Sequence, residues 1–191
     1  MSRNLMYDEL IEDTKDKFLH FDFGDYISDQ NLNSFLQFRA GNELYKMKTI
    51  YEAKDSDYSE NDLPMGNLRE SIELGIRPWK GVLLRIGDKK RRIGSFLNKN
   101  SFQVKDEAVN DTLIDMANYS FLGCCLFKLD YNPEDFEHYN NLWLQMAFDC
   151  VLAKTLFDQK NSISNTELWQ SEVWPKILKS YKQLADFALN N

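Results

Sequence analysis

The spacing of apolar residues constrains this chain most. Apolar side chains recur at three- and four-residue steps along almost the whole sequence, and no stretch shows a convincing alternation of apolar and polar residues. A period near 3.6 residues lines one side of an α-helix, whereas a half-buried strand needs a period of two. The pattern predicts an all-α protein, a multi-helix bundle. With 191 residues, a single helical domain over residues 1–191 can bury a core without disulfides or metal.

Glycine, proline and polar clusters divide the pattern into helices. The first two are predicted at 4–21 and 30–54, followed by a loop at 55–66 and a short helix at 67–74 that Gly75 ends. Pro78 suits the first turn of the next helix, in which Gly87 and Gly94 each cost about 1 kcal/mol relative to alanine. Close approach of a helix or ligand, or a kink, would explain them. Later helices are predicted at 106–129, at 132–159 and from 164 onward, with a kink or break at Pro175.

Composition excludes several classes of function. A formal charge of −7 opposes non-specific binding to nucleic acids or anionic membranes, although it allows a local cationic groove. No apolar run reaches the ~18 residues of a membrane span, and the first residues lack the apolar region of a signal peptide, which predicts a soluble intracellular protein. No nucleophile motif and no glycine-rich phosphate loop is present. We expect buried, reduced thiols rather than disulfides or zinc at Cys124, Cys125 and Cys150.

Two consecutive predicted helices, residues 81–98 and 105–129, each have a polar stripe. At ~100° per residue, each set of side chains falls on one side of its helix. Guanidinium and ammonium groups suit phosphate oxygens, and clustered carboxylates suit Mg²⁺. The stripes therefore predict a site for phosphate and Mg²⁺, with solvated faces or ion pairs between helices as the alternative. The basic stripe consists of Arg85, Asp88, Lys89 and Arg92; the acidic stripe consists of Glu107, Asp111, Asp115 and Asn118, with Mg²⁺ expected on its three carboxylates.

A second polar group precedes the basic stripe. An aromatic ring offers a stacking face, and nearby polar side chains offer directional hydrogen bonds, so such a group can recognise a base or ribose. Ordinary turn chemistry is the alternative, and Trp79 is expected to anchor packing rather than to stack on a ligand. The candidate ligand-binding residues are Lys54, Asp57, Tyr58, Asn67 and Arg69.

Four segments have an order and spacing that resemble a known family. They are KDSDY at 54–58, GNLRES at 66–71, ELGIRPWKGVLLRIGDKKRRIGSF at 73–96 and VKDEAVNDTLIDMANYSFL at 104–122. Together they resemble the phage nucleotide-modification-associated domain family, a small helical group of phages and prophages. The resemblance covers residues 44–129 and leaves 1–43 and 130–191 as helical extensions.

This resemblance implies a role in phage nucleotide metabolism and a distant similarity to MazG-like all-α nucleoside triphosphate pyrophosphohydrolases, which bind Mg²⁺ through acidic residues. Glu107, Asp111 and Asp115 match the second acidic motif of those enzymes. Where the enzymes have a Glu–x–x–Glu pair on their first metal helix, this chain has Asp88 beside Lys89 and Arg92.

The leading functional prediction is a cytoplasmic protein of a phage-infected or prophage-carrying bacterium that binds a (deoxy)nucleotide with Mg²⁺. If catalytic, it would hydrolyse a nucleoside triphosphate to monophosphate and pyrophosphate. The alternative is a non-catalytic module that sequesters a nucleotide or docks onto a host protein; a mimic of nucleic acid is less favoured because the acidic charges are scattered. A homodimer is expected because the aromatic-rich outer helices carry more apolar surface than one thin bundle easily covers. The alternative is that these aromatic residues belong to the core, namely Phe136, Tyr139, Trp143, Phe148 and Trp169.

Overall fold

A computed structural model describes residues 3–26, 32–58, 70–99, 109–158 and 169–191. Over these residues the chain forms a bundle of six α-helices without strands, so the all-α prediction is confirmed. Two short 3₁₀ segments, Phe23–Asp25 and Glu70–Ile72, and a π-helical turn, Trp169–Val173, join the bundle. The helices are α1 Arg3–Leu19, α2 Asn33–Tyr58, α3 Pro78–Lys99, α4 Val109–Asp130, α5 Glu137–Phe157 and α6 Trp174–Asn190.

Several predicted boundaries are correct because local backbone chemistry sets them. Gly75 has a positive φ of 71°, a conformation that glycine adopts without steric cost, and it closes the turn after the 3₁₀ segment Glu70–Ile72. Pro78 begins α3, where a missing N–H leaves no hydrogen bond unmade. Pro175 lies in the first turn of α6, directly after the π-helical turn, and therefore divides the last helical segment as predicted.

Two predicted boundaries are wrong. The loop predicted from residue 55 begins later, because α2 continues through Tyr58. Residues 55–58 are polar but include neither glycine nor proline, and polarity alone does not end a helix. The helix predicted from residue 132 begins at Glu137 instead. There, the Asn132 side-chain oxygen accepts a hydrogen bond from the Glu134 backbone N–H at 3.2 Å, which holds a turn before the helix.

Helix α4 lies at the centre of the bundle. Every residue from 120 to 127 is buried, as expected for a helix covered by neighbours on several sides. It packs against α3, α5 and α1. Gly123 allows the closest of these approaches, since a methyl group at this position would overlap the Trp143 ring of α5. One contiguous core includes side chains from all six helices.

The two glycines of α3 have different explanations. A Cβ atom on Gly87 would lie 2.6 Å from the Tyr181 hydroxyl of α6, so close approach of a helix accounts for this residue. No described atom lies within 4 Å of the corresponding position on Gly94. Packing therefore explains the first glycine and not the second.

The tryptophans and cysteines are part of the core. Trp143, Trp169 and Trp79 are fully buried, and the last of these is a packing anchor as predicted. Phe136, Tyr139 and Phe148 are partly buried and pack against the same core. The aromatic residues that suggested a homodimer thus contact the chain itself, and the homodimer stays a prediction. All three cysteines are buried and free, which confirms their expected state. Among the described helices, none is long and apolar enough to cross a membrane.

Candidate functional site

The basic and acidic stripes meet where α3 packs against α4. Lys89 Nζ lies 2.5 Å from Asp115 Oδ2, and this ion pair joins the two helices. The two side chains are 21% and 33% exposed, respectively, so the pair is only partly hydrated. The predicted adjacency of the two helices is therefore correct. The ion pair also agrees with the alternative interpretation, in which the stripes neutralise each other.

The rest of the basic stripe faces solvent. Arg85 and Arg92 are exposed, and the exposed carboxylate of Asp88 pairs with Arg91 on its own helix. Lys90 turns toward α6, where its ammonium lies 4.2 Å from the centre of the Tyr181 ring. Helix α3 contains seven lysines and arginines but one acidic residue, in a protein whose formal charge is −7. Positive charge is thus concentrated on this helix.

The acidic stripe is less uniform than its spacing suggests. Asp111 is exposed in the first turn of α4. Asn118 points its side-chain oxygen toward α1 and accepts a hydrogen bond from the Tyr7 hydroxyl at 2.7 Å. Burial raises the pKa of Tyr7 well above its ordinary value, so this hydroxyl keeps its proton, and its ring stacks on Tyr51 at 4.1 Å. Asn118 therefore supports packing between helices, and Glu107 lies outside the described residues.

The described carboxylates do not form a magnesium site on their own. No group of three or more histidine, cysteine, aspartate or glutamate side chains within the described ranges is arranged to hold a metal ion. The ammonium of Lys89 already contacts the Asp115 oxygen that Mg²⁺ would need. Asp111 is the remaining described member of the predicted set, and Mg²⁺ prefers a nearly complete octahedron of oxygen ligands. The Mg²⁺ prediction therefore depends on Glu107.

The upstream candidate residues cannot be compared with the site. Lys54, Asp57 and Tyr58 belong to the last turns of α2, but their side chains lie outside the described part of the structure. Asn67 and Arg69 fall within residues 59–69, which are also outside it. Their assignment to base or ribose recognition stays a prediction.

Sequence reasoning missed a buried network of charges between α2 and the end of α5. Lys154 is only 8% exposed, and its Nζ lies 2.9 Å from Glu43 Oε2 and 2.6 Å from Asp158 Oδ2. Arg39 contacts the same Asp158 oxygen at 3.3 Å, and Asn110 of α4 donates to the other oxygen. Because the buried lysine has two carboxylate partners, the network can tie three helices together. Its sequence signal is the four-residue spacing of Lys154 and Asp158 after an apolar run.

A buried carboxylate on α5 was also missed. Asp149 is 2% exposed; its Oδ1 accepts a hydrogen bond from Gln145 Nε2 at 3.0 Å, and its Oδ2 has no hydrogen-bond partner among the described residues. Burial raises the pKa of this carboxyl from 3.8 to about 6, while the Gln145 hydrogen bond and the positive charge of Lys176 act in the opposite direction. Such perturbed groups are frequent near binding sites.

Comparisons with protein-family models, curated proteins and solved structures found no match to this chain. The resemblance to the phage nucleotide-modification-associated domain family therefore stays a prediction.

Proposed function

We propose that this protein binds a nucleotide whose phosphates lie on the basic stripe of α3. The observation that carries the proposal is the ion pair of Lys89 with Asp115, because it fixes a lysine head group at the contact between α3 and α4. An ammonium has three N–H donors, and one carboxylate oxygen leaves donors for a second anion. Arg85, on the same side of α3, would add planar guanidinium contacts to phosphate oxygens.

The distribution of charge supports an anionic ligand. An acidic protein repels nucleotides in general, whereas a helix with a local excess of positive charge attracts them to one place. The excess on α3 belongs to exposed or partly exposed side chains between Lys80 and Arg92. Long-range repulsion and local attraction together favour a small multivalent anion over an extended nucleic acid.

Binding is better supported than hydrolysis. A pyrophosphohydrolase needs carboxylates that are available to metal ions. Here, Asp115 is neutralised by Lys89, and Asn118 accepts a hydrogen bond from the Tyr7 hydroxyl. We therefore favour a protein that sequesters or senses a nucleotide in the cytoplasm of a phage-infected or prophage-carrying bacterium. Hydrolysis of a nucleoside triphosphate to monophosphate and pyrophosphate is the other outcome that the test must distinguish.

The test is calorimetric titration with each nucleoside triphosphate and deoxynucleoside triphosphate, first with EDTA and then with Mg²⁺. We expect binding in both conditions and at least a tenfold loss of affinity in Arg85→Met. The matched control is Lys80→Met, which removes one positive charge from the same helix at about 140° from Arg85 and should stay within twofold of wild type. Absence of binding by every triphosphate at millimolar concentration, or equal losses in both variants, would refute the proposed site.

Asp115→Asn separates binding from catalysis. In the binding proposal, this substitution removes a negative charge from beside the phosphates and keeps an oxygen that can hold the Lys89 ammonium, so triphosphate affinity should stay the same or increase. In the hydrolytic alternative, Asp115→Asn and Asp111→Asn should both abolish Mg²⁺-dependent release of pyrophosphate. If wild type releases pyrophosphate and either variant does not, the protein is a hydrolase and the binding proposal is wrong.

A further inference from the structure

A cleft between α1 and α5 shares no residue with the basic and acidic stripes. Its volume is about 400 Å³, which is within the range of about 300–1,000 Å³ typical of small-molecule sites. Thr14 and Lys17 of α1 and the following Phe21 form one side. The other side belongs to α5 and includes Asn141, Gln145 and Phe148.

The apolar part of this cleft is aromatic and held in place by the core. Phe21 and Phe148 meet edge to face, with ring centres 5.3 Å apart at 68°. The Phe148 ring also stacks on the fully buried Phe18, at 4.1 Å and 11°. Both cleft rings are only partly buried. A fixed and partly exposed aromatic wall favours a flat ring as ligand, because stacking costs little conformational entropy.

The polar part of the cleft has a defined hydrogen-bonding direction. Gln145 is exposed, and its Nε2 donates to the buried Asp149 carboxylate at 3.0 Å. An ionised carboxylate can only accept, so it fixes the orientation of the amide and leaves Gln145 Oε1 as an acceptor. Asn141 lies one helical turn earlier on the same side of α5 and adds a second amide. The cleft thus pairs an aromatic wall with a hydrogen-bonding edge.

The carboxylate of Asp149 holds the Gln145 amide in place from behind. Asp149 is only 2% exposed, yet its Oδ2 lacks a hydrogen-bond partner in the described structure. Buried polar atoms are nearly always paired, so the unpaired oxygen adds to the cost of burying this carboxylate. Asp149 is not among the residues that line the cleft, and it acts there through its hydrogen bond to Gln145.

We infer that the α1–α5 cleft binds the base of a nucleoside or nucleoside monophosphate: the ring lies against Phe21 and Phe148, and Gln145 Oε1 accepts a base N–H. Asn141 supplies the neighbouring hydrogen bond. Lys17, exposed in the last turn of α1, contacts the 5′-phosphate when one is present. A nucleobase matches this chemistry because it combines a flat ring, N–H donors along one edge and, in the monophosphate, an anion beyond the sugar.

The experiment uses ligands with and without phosphate, so that this cleft and the basic stripe can fail separately. Purified protein is titrated with adenosine, guanosine, cytidine and uridine and with their 5′-monophosphates, and binding is followed by chemical shifts in NMR spectra. We expect at least one nucleoside to bind. Arg85→Met should leave nucleoside affinity unchanged, since a nucleoside has no phosphate for the basic stripe.

Gln145→Met keeps the length of the side chain and removes its hydrogen bonds, and it should weaken nucleoside binding at least tenfold. The matched control is Gln183→Met on α6, which should have no effect. Lys17→Met should weaken monophosphate binding several-fold and leave nucleoside binding unchanged, with Lys182→Met of α6 as its control. Melting curves check that each variant is folded.

Failure of all four nucleosides to bind at 5–10 mM would overturn the inference, as would wild-type affinity in Gln145→Met. Shift changes that map to other residues than those of the cleft would overturn it too. Neither result would affect triphosphate binding at Arg85 and Lys89. Conversely, loss of triphosphate binding in Arg85→Met with intact nucleoside binding would support both sites independently.

Discussion

Replacing Asp149 by asparagine should stabilise this protein at neutral pH. The carboxyl is buried, and its pKa is raised from 3.8 to about 6, first because burial disfavours the charged form. The native state therefore binds this proton more tightly than the unfolded state does. The contribution of this carboxyl to the unfolding free energy of wild type should fall as the pH rises from about 4 to about 6 and stay at the lower level above that range.

The size of the effect follows from the two pKa values. Ionising this carboxyl in the folded protein costs about 3 kcal/mol more than in the unfolded chain, at about 1.4 kcal/mol per tenfold change in the proton equilibrium. Asparagine has nearly the same shape, carries no charge and still offers an oxygen to Gln145. The asparagine amide N–H groups replace Oδ2 and need a partner, which offsets about 1 kcal/mol of the stability gained by removing the charge. We therefore expect Asp149→Asn to gain about 1–3 kcal/mol at pH 7.5.

The measurement is urea unfolding followed by circular dichroism at pH 7.5 and at pH 4. At pH 4 the wild-type carboxyl is already protonated in the native state, so the advantage of the variant should disappear. Asp13→Asn, at an exposed position on α1, is the control and should change the unfolding free energy little at either pH. A variant that is less stable than wild type at pH 7.5 would refute the reasoning, because it would mean that the attraction of Lys176 outweighs the cost of burial.

Three further predictions concern packing, buried charge and thiol reactivity. Gly123→Ala should destabilise the protein by about 1–3 kcal/mol or more, because the new methyl group overlaps the Trp143 ring. The methyl group of Gly94→Ala has open space, so this variant should gain up to about 1 kcal/mol of stability. Thermal melts of both variants check this contrast. Lys154→Met should cost about 1–3 kcal/mol in urea unfolding, since it removes the cation that Glu43 and Asp158 share while Lys46 and Arg39 each still pair with one of them, and a loss below about 0.5 kcal/mol would contradict this role. The three thiols should not react with DTNB in the native protein and should all react in guanidinium chloride. They are buried, and burial raises the pKa of Cys124 to about 12. Labelling of a native thiol within minutes would contradict the packing.

Local patterns in the sequence were enough to predict the helical architecture. Apolar spacing identifies helices because the period of the α-helix is a property of the backbone, and it holds wherever the helix lies. Gly75 and Pro78 mark boundaries for the same reason, since their backbone restrictions act within one turn. The error at Tyr58 arose where side-chain polarity, a weaker signal, was used. The error at Asn132 arose because an Asn–Pro–Glu sequence fits a turn as well as the start of a helix.

The contacts of the candidate site were also predictable only where they join neighbouring parts of the sequence. The meeting of Lys89 with Asp115 could be anticipated because α3 and α4 are consecutive and each stripe lies on one side of its helix. The partner of Asn118 could not, since Tyr7 is 111 residues away in the sequence.

The sequence by itself determined which segments are helical, which face of each helix is polar and where positive charge is concentrated. Tertiary structure alone decided that Lys154 lies between two carboxylates, that Asp149 is buried behind Gln145 and that Phe21 meets Phe148 across a cleft. The physical reason is that helix formation depends on neighbours within a few residues, whereas burial and contact depend on how all six helices fill a shared core.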